Sequence, residues 1–247
     1  LPMSLNSITI KENAIFIADS HHHSLYRNTL DDFFQSLLPL SKRQIFLMGD
    51  IFDFLVGDIA QCLKDNQKTL NILEQLSLKH EIYYLEGNHD FLLHKIPLLK
   101  NIHCFSIQSQ PICCILNQKK AYLAHGDILL SWHYKLYTAL MRQRITIAFL
   151  NLFKNFLYPA LITHLKAKTL KESPKDSSHF ITQRILDYIK QYDIQQHSYI
   201  IEGHFHLNKH IKFHTINYIG LPLFACKKKY FVVEYENNYL SLKMKEF

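Results

Sequence analysis

Five short clusters of aspartate, asparagine and histidine stand out along the chain: Asp19-Ser20-His21, Gly49-Asp50-Ile51-Phe52-Asp53, Gly87-Asn88-His89-Asp90, His125-Gly126-Asp127 and Gly203-His204-Phe205-His206. Carboxylate, amide and imidazole groups are ligands for divalent cations, so the residue types alone raise the question of a metal. Asp19 and His21 can lean toward one ion only where the strand carrying them breaks into a loop. Taken alone, that cluster with its neighbours His22 and His23 reads more simply as a solvated, histidine-rich turn. Asp50 follows a glycine that permits a tight turn and close approach, and its two oxygens can bridge two cations. Asp53 reads as the cap of a following helix. Asn88 can complete a coordination shell without adding charge, and His89 beside it can reach a substrate instead of the metal. A turn with a helix cap is the alternative for that cluster. In the last cluster, alternation puts His204 and His206 on one side of an extended segment, able to serve neighbouring ions. A lone histidine often satisfies a core hydrogen bond, but five such clusters together argue for metal. No G-x-S-x-G elbow supports a serine nucleophile.

Each cluster follows a short apolar run, at residues 14–18, 44–48, 82–85, 121–124 and 199–201. Runs this short, β-prone and unalternated predict strands buried on both faces. Helical patterns over 27–40 and 59–79 make the front half a series of strand-helix units, and in such sheets ligands sit beyond the carboxyl ends of the strands. The back half predicts successive strands at 209–213, 215–219, 230–235 and 239–244, with Glu236-Asn237-Asn238 as a hairpin turn. The expected class is α/β (α+β): one domain over 1–247, with two packed sheets flanked by helices and interrupted by helices over 128–195. Within that interruption Tyr137, Met141, Ile145, Ala148, Leu152 and Phe156 keep helical spacing, adjoined by Leu140, Phe149, Phe153 and Leu157. They form a wide apolar stripe that Pro159 is expected to end. Lys154, Asn151 and Asn155 make it too short and too polar to span a bilayer.

With 247 residues, 48% of them hydrophobic and 20% charged, the chain can bury a large core. Glycine and proline are sparse, and no repeat recurs. Five cysteines without a C-x-x-C pair argue against a secreted disulfide framework and for reduced thiols in a cytosol. The opening residues carry no basic-then-apolar pattern, so no export is expected. A formal net charge of +7 points toward anionic partners. The segment 128–171 narrows the choice, because it holds seven Lys or Arg and no Asp or Glu.

The five motifs, in this order, resemble those of the calcineurin-like metallophosphoesterase family: D-x-H, G-D-x-x-D, G-N-H-D/E, a later histidine and G-H-x-H. The resemblance covers the core but not 128–195. It implies a four-layer α-β-β-α sandwich holding two divalent ions, manganese by expectation, with iron and zinc as alternatives. It also implies that Asp19, His21, Asp50 and His206 hold one ion, and Asp50, Asn88, His125 and His204 the other. Such a pair stabilises the entering and leaving oxygens of an in-line displacement at phosphorus. Asp50, Asn88 and His89 would form the catalytic set, with His89 stabilising charge or protonating the leaving oxygen.

Within the superfamily, the chain is most similar to the UDP-2,3-diacylglucosamine diphosphatase family of the lipid A pathway. That likeness rests on Gly49 to Asp58, Gly87 to Leu93, His125-Gly126-Asp127 and the basic helical insertion. It implies a lid over acyl chains, cleavage of a pyrophosphate to UMP and 2,3-diacylglucosamine 1-phosphate, and peripheral contact with the inner-membrane surface from the cytoplasm. Phe149 and Phe153, with Leu140 and Phe156, would take the acyl tails, while Arg142, Arg144 and Lys154 would face lipid headgroups or the pyrophosphate. The chain departs from that family at His89, where arginine is usual, at Leu55, where tryptophan is expected, and over 176–195, which lacks Met-Asp-Val-Asn. A phosphodiesterase or nuclease is the rival enzyme, although nucleic acid is not expected: the apolar stripe is unlike the alternating basic and aromatic groove of single-strand binders. A non-catalytic docking scaffold is the remote alternative, since scaffolds lose ligands and this chain keeps all of them. No sequence feature sets an oligomeric state.

Overall fold

The computed structural model describes residues 7–23, 27, 29–167 and 178–247, apart from the side chains of 154 and 155. Its architecture follows from how each short apolar run spends its two faces. Along Ile15–Ile17, Ile15 and Ile17 pack with Leu30, Phe33 and Leu73 from the helices Thr29–Leu37 and Gln67–Ser77. Phe16 points the other way and stacks on Phe46 with ring centroids 4.5 Å apart, and Phe46 stacks on Tyr83 at 4.8 Å. Burial on both sides removes the alternation that a half-exposed strand would show.

One sheet runs in the order Tyr239–Glu246, Lys229–Glu236, Ile15–Ile17, Gln44–Leu47, Glu81–Leu85, His103–Phe105, with the last four parallel. The other runs Ile8–Thr9, Ile112–Leu116, Lys119–Ala124, Tyr199–Glu202, Ile216–Gly220, Lys209–Phe213. Phe16, Phe46, Leu123, Ile201, Ile219 and Val233 fill the space between them. Beyond the second sheet, Tyr122, Ile200 and Tyr218 pack against Ile181, Ile185 and Tyr188 of the helix Ser178–Tyr192. The result is helix, sheet, sheet, helix: the four-layer sandwich. The back-half hairpin closes through Asn237 and Asn238, both left-handed with φ of +51° and +66°, as a two-residue turn matched to strand twist requires.

Three expectations are corrected. The helix expected over 59–79 is two, Ala60–Asp65 and Gln67–Ser77. The break is at buried Asn66, whose side-chain amide donates to the carbonyls of Phe54 and Cys62 at 3.3 and 2.9 Å and draws the chain inward. Pro159 does not end a helix. Among the described residues the stretch 128–195 forms four helices, Trp132–Met141, Arg144–Leu152, Lys154–Ala167 and Ser178–Tyr192, and Pro159 lies inside the third. The breaks fall instead at Arg142-Gln143 and at Phe153, where one helix stops and the next begins. The cluster at His22 and His23 is not a solvated turn: both side chains are fully buried, and His22 meets Thr69 Oγ1 at 2.7 Å.

Candidate metal centre

All five clusters emerge at the carboxyl ends of strands, and the backbone turns sharply there. Asp19, His21, Asp50, His204 and His206 have φ of +53°, +43°, +49°, +62° and +53°, in the left-handed region that side chains other than glycine rarely occupy. Strain of this kind persists where the surroundings fix it, and it collects at functional sites. Two glycines let the loops close. A Cβ on Gly87 would run into the backbone and carboxylate of Asp50, and one on Gly49, itself at φ +88°, into the His125 ring.

Side chains scattered along the sequence thereby meet in two adjoining groups. In the first, ligand atoms of Asp19, His21 and His206 lie within 4.8 Å of one another; His206 Nε2 is 3.5 Å from Asp19 Oδ1. In the second, His125 Nε2 is 3.5 Å from Asp50 Oδ2, 3.4 Å from Asn88 Oδ1 and 3.2 Å from His204 Nδ1. Asp50 joins the two, with Oδ2 4.0 Å from His21 Nε2. These seven residues are the ones the sequence singled out, and each group could hold a cation. A third set, His21, Asp53 and His89, is also compact, but the Asp53 oxygens are engaged by His21 and Arg27.

The rings are held at their far nitrogens. His125 Nδ1–H donates to the Met48 carbonyl at 3.0 Å, so Nε2 faces the group. His21 Nδ1–H donates to Asp53 Oδ1 at 3.2 Å. Asp53 is therefore not a helix cap: the next helix begins at Ala60 with no side-chain cap. It is placed to orient a candidate ligand histidine, and its other oxygen accepts from Arg27 at 2.8 Å. A G-D-x-x-D spacing carries that signal, since the second aspartate returns toward the strand end where His21 lies. We expect Asp53→Asn to weaken metal affinity by about ten- to a hundredfold. Equilibrium dialysis with Mn²⁺ checks this; wild-type affinity would refute the orienting role.

The charge balance tests whether cations suit the site. Burial works to raise Asp50, but the charges of His125 and His89 outweigh it and hold the carboxyl well below its usual range. Burial opposes protonation of His125, yet Asp50 wins and holds it well above the ordinary imidazole value. Burial likewise raises Asp19, and the hydrogen bond and charge of His206 bring it below normal. His204 is pushed down to about 3 by burial and by His125, and burial lowers His21 despite Asp53. Ionised carboxylates beside neutral imidazoles, with a protonated ring supplying the missing positive charge, are a donor set that a divalent cation satisfies by displacing protons.

Two buried networks, neither read from the sequence, hold the loops. Asp90 accepts from the backbone N–H of Asp50, Ile51 and Gly87 at 3.0, 2.7 and 2.9 Å and from the Tyr84 hydroxyl at 2.6 Å. The strand pair Leu55–Val56 and Asp90–Phe91 clamps the same two loops. On the other side, Arg184 donates to both Glu202 oxygens at 3.1 and 2.6 Å and to the Gly126 carbonyl at 2.9 Å, tying the His125 loop to the strand that ends at Gly203-His204.

The insertion places its predicted residues differently. Of the two expectations for Arg142, lipid headgroups or the pyrophosphate, its position is compatible with the second: it donates to the Gly87 carbonyl at 2.8 Å, its guanidinium lies 4.7 Å from the Phe91 ring centroid, and it lines a cavity with Asn88 and His89. Its helix packs inward at Thr138, and Arg142 follows one turn later on the same face. Arg144 is exposed, and the Lys154 side chain lies outside the described residues. Phe149 and Phe153 have ring centroids 4.6 Å apart and are 54% and 42% exposed. What does approach the centre is a 280 Å³ cavity lined by Asn88, His89, Phe54, Phe91, Tyr137, Met141, Leu161 and Leu165. Its apolar wall comes from three separate parts of the chain, which no single motif announces.

Fold and ligand groups together define a metal-dependent phosphoesterase. Residues 13–208 match the calcineurin-like phosphoesterase family, and the chain belongs to that family. A UDP-2,3-diacylglucosamine hydrolase of Psychromonas ingrahamii is 32% identical over 121 residues, which is 47% of this chain and 47% of that relative. Those of Haemophilus ducreyi and Histophilus somni (strain 2336) are each 26% identical over 209 and 208 residues, covering 77% and 79% of this chain and 82% and 84% of theirs.

Proposed function

We propose that the protein hydrolyses the pyrophosphate of UDP-2,3-diacylglucosamine to UMP and 2,3-diacylglucosamine 1-phosphate, working in the cytoplasm at the inner-membrane surface with manganese as the metal. The observation that carries this reading is the cavity beside the ligand groups: Asn88 and His89 at one end, and Phe54, Phe91, Tyr137, Met141 and Leu165 along the walls. A phosphoester bearing an apolar chain suits such a space, whose walls are mostly apolar, with Arg142 and His164 also lining it. The names of the relatives support the same substrate.

Asp19, His21, Asp50 and His206 would hold one cation, and Asp50, Asn88, His125 and His204 the other. Bound there, the pair supplies Lewis-acid polarisation and stabilises the entering and leaving oxygens of an in-line displacement. His89 is anchored at both ends: its backbone N–H donates to Asp50 Oδ1 at 2.9 Å, and its ring Nδ1–H donates to the Asp53 carbonyl at 2.7 Å. Held so, with its ring lining the cavity, it donates a proton to the leaving oxygen or stabilises charge on it. Met141, Leu161 and Leu165 of the lid exclude water from that end.

Membrane contact has separate support. Ile145, Leu152 and Phe156 are 84%, 77% and 81% exposed on a segment that carries basic residues and no acidic ones. No single helix among the described residues is long and apolar enough to cross a membrane; an exposed apolar and basic surface of this kind suits contact with an anionic bilayer. Mass spectrometry of products from UDP-2,3-diacylglucosamine with Mn²⁺ and detergent should show UMP and 2,3-diacylglucosamine 1-phosphate; an unconsumed substrate, or release of UDP, overturns the assignment. Phe149→Glu with Phe156→Glu should cut flotation with phosphatidylglycerol vesicles about tenfold or more, and unchanged flotation removes the membrane role.

A further inference from the structure

We infer that His22, held by Thr69, is a positioning residue for the metal centre: it sets the depth and tilt of the loop that carries Asp19 and His21. The inference rests on the metal-centre reading above and adds the side chains that keep this loop in register with the one carrying Asp50.

His21 and His22 are neighbours whose rings part company. Their loop is laced to the next by three backbone bonds of 2.9 Å: His21 N–H to the Asp50 carbonyl, His22 N–H to the Ile51 carbonyl, and Asp53 N–H to the His22 carbonyl. The His21 ring goes to the ligand groups, with Nε2 4.0 Å from Asp50 Oδ2. The His22 ring goes to the helix layer, where Nε2 meets Thr69 Oγ1 at 2.7 Å. Thr69 gives its own hydrogen to Asp31 Oδ1 at 2.6 Å, so it accepts from His22 Nε2–H. Asp31 is fixed in turn: it lies in the first turn of the helix Thr29–Leu37, and its Oδ2 is 2.9 Å from Lys68 Nζ. His22 Nδ1 has no hydrogen-bond partner among the described residues, so the bond to Thr69 decides how the ring stands.

Stability alone does not account for this chain of bonds. His22, Thr69 and Asp31 are 0%, 0% and 1% exposed, in the layer packed by Leu30, Phe33, Leu70 and Leu73. An apolar side chain at position 22 would fill the same space at little cost, and a buried hydrogen bond contributes only about 1 kcal/mol net. What the bond adds to packing is direction. Any slide or roll of the loop breaks the contact with Thr69, and the same movement carries Asp19 and His21. Ligands on separate loops serve one pair of cations only at matched depth, and a misplacement of about 1 Å costs on the order of a hundredfold in rate. Asp90 holds the Asp50 loop by accepting from its N–H groups, and His22 with Thr69 holds this one.

Three variants test the role. Thr69→Val keeps the shape and removes the acceptor, and Thr69→Ser keeps the hydroxyl. His22→Leu removes the ring and leaves Thr69 bonded to Asp31, so no buried polar group is orphaned; it carries the test should Thr69→Val fail to fold. Equilibrium dialysis with Mn²⁺ reads affinity, bis-p-nitrophenyl phosphate reads turnover, and the urea midpoint reads stability. In Thr69→Val and His22→Leu, Mn²⁺ affinity should weaken about ten- to a hundredfold and kcat should fall about tenfold or more with KM little changed. Thr69→Ser should behave as wild type. Wild-type Mn²⁺ affinity in folded Thr69→Val or in His22→Leu overturns the positioning role, whatever the urea midpoint, and so does a Thr69→Ser chain as impaired as Thr69→Val. A wild-type chain that binds no Mn²⁺ overturns the metal-centre reading instead, a failure visible before any variant is made.

Discussion

Asp50→Ala should reduce phosphodiester hydrolysis by on the order of a thousandfold or more and remove bound metal. Asp50 stands between the two ligand groups, 3.5 Å from His125 Nε2 and 4.0 Å from His21 Nε2, so its loss strips an oxygen from both. Its Oδ1 also accepts the His89 backbone N–H at 2.9 Å, so the residue proposed to serve the leaving group would lose an anchor as well. Metal analysis alongside turnover of bis-p-nitrophenyl phosphate checks the result. Retention of both metal and turnover would sink the site assignment. Loss of turnover with both metals retained would leave Asp50 catalytic but not a bridging ligand.

Asp90→Ala should destabilise the protein by about 3–5 kcal/mol, an effect on the fold before any effect on chemistry. Asp90 is fully buried, and alanine would leave the N–H groups of Asp50, Ile51, Phe52 and Gly87 and the Tyr84 hydroxyl aimed at empty space. Those donors belong to the loops that carry Asp50 and Asn88, so the loosening falls where geometry is most demanding. The urea midpoint read by circular dichroism measures the loss. A shift equivalent to less than about 1 kcal/mol would show that the loops hold without this knot.

The site was more legible in the sequence than the parts that support it. Asp19, Asp50 and Asn88 follow parallel strands of one sheet and His125 and His204 parallel strands of the other, so local pattern sends each set to one edge, while the meeting of the two edges comes from how the sheets pack. Asp53 was misread because a carboxylate three residues beyond another looks like a cap until the strand ending at His21 is placed beside it. Asp90 and Arg184 act through partners far along the chain, with Arg184 meeting Gly126 across 58 positions, and no periodicity reports such pairings. The lid misled in a different way. Its apolar spacing was visible, but spacing cannot say whether a stripe faces inward: Ile147 and Leu165 are buried against the core, while Phe149 and Phe156 stand in the open.

The left-handed backbone at Asp19, His21, Asp50, His204 and His206 sets heat resistance against activity. Each such residue costs about 1–3 kcal/mol that glycine would mostly avoid. Directed evolution that screened only for survival at high temperature would therefore be drawn toward glycine at the very positions that make the molecule useful, and would deliver a sturdier, inert relative. A thermostabilising campaign should hold those codons fixed and seek its gains elsewhere.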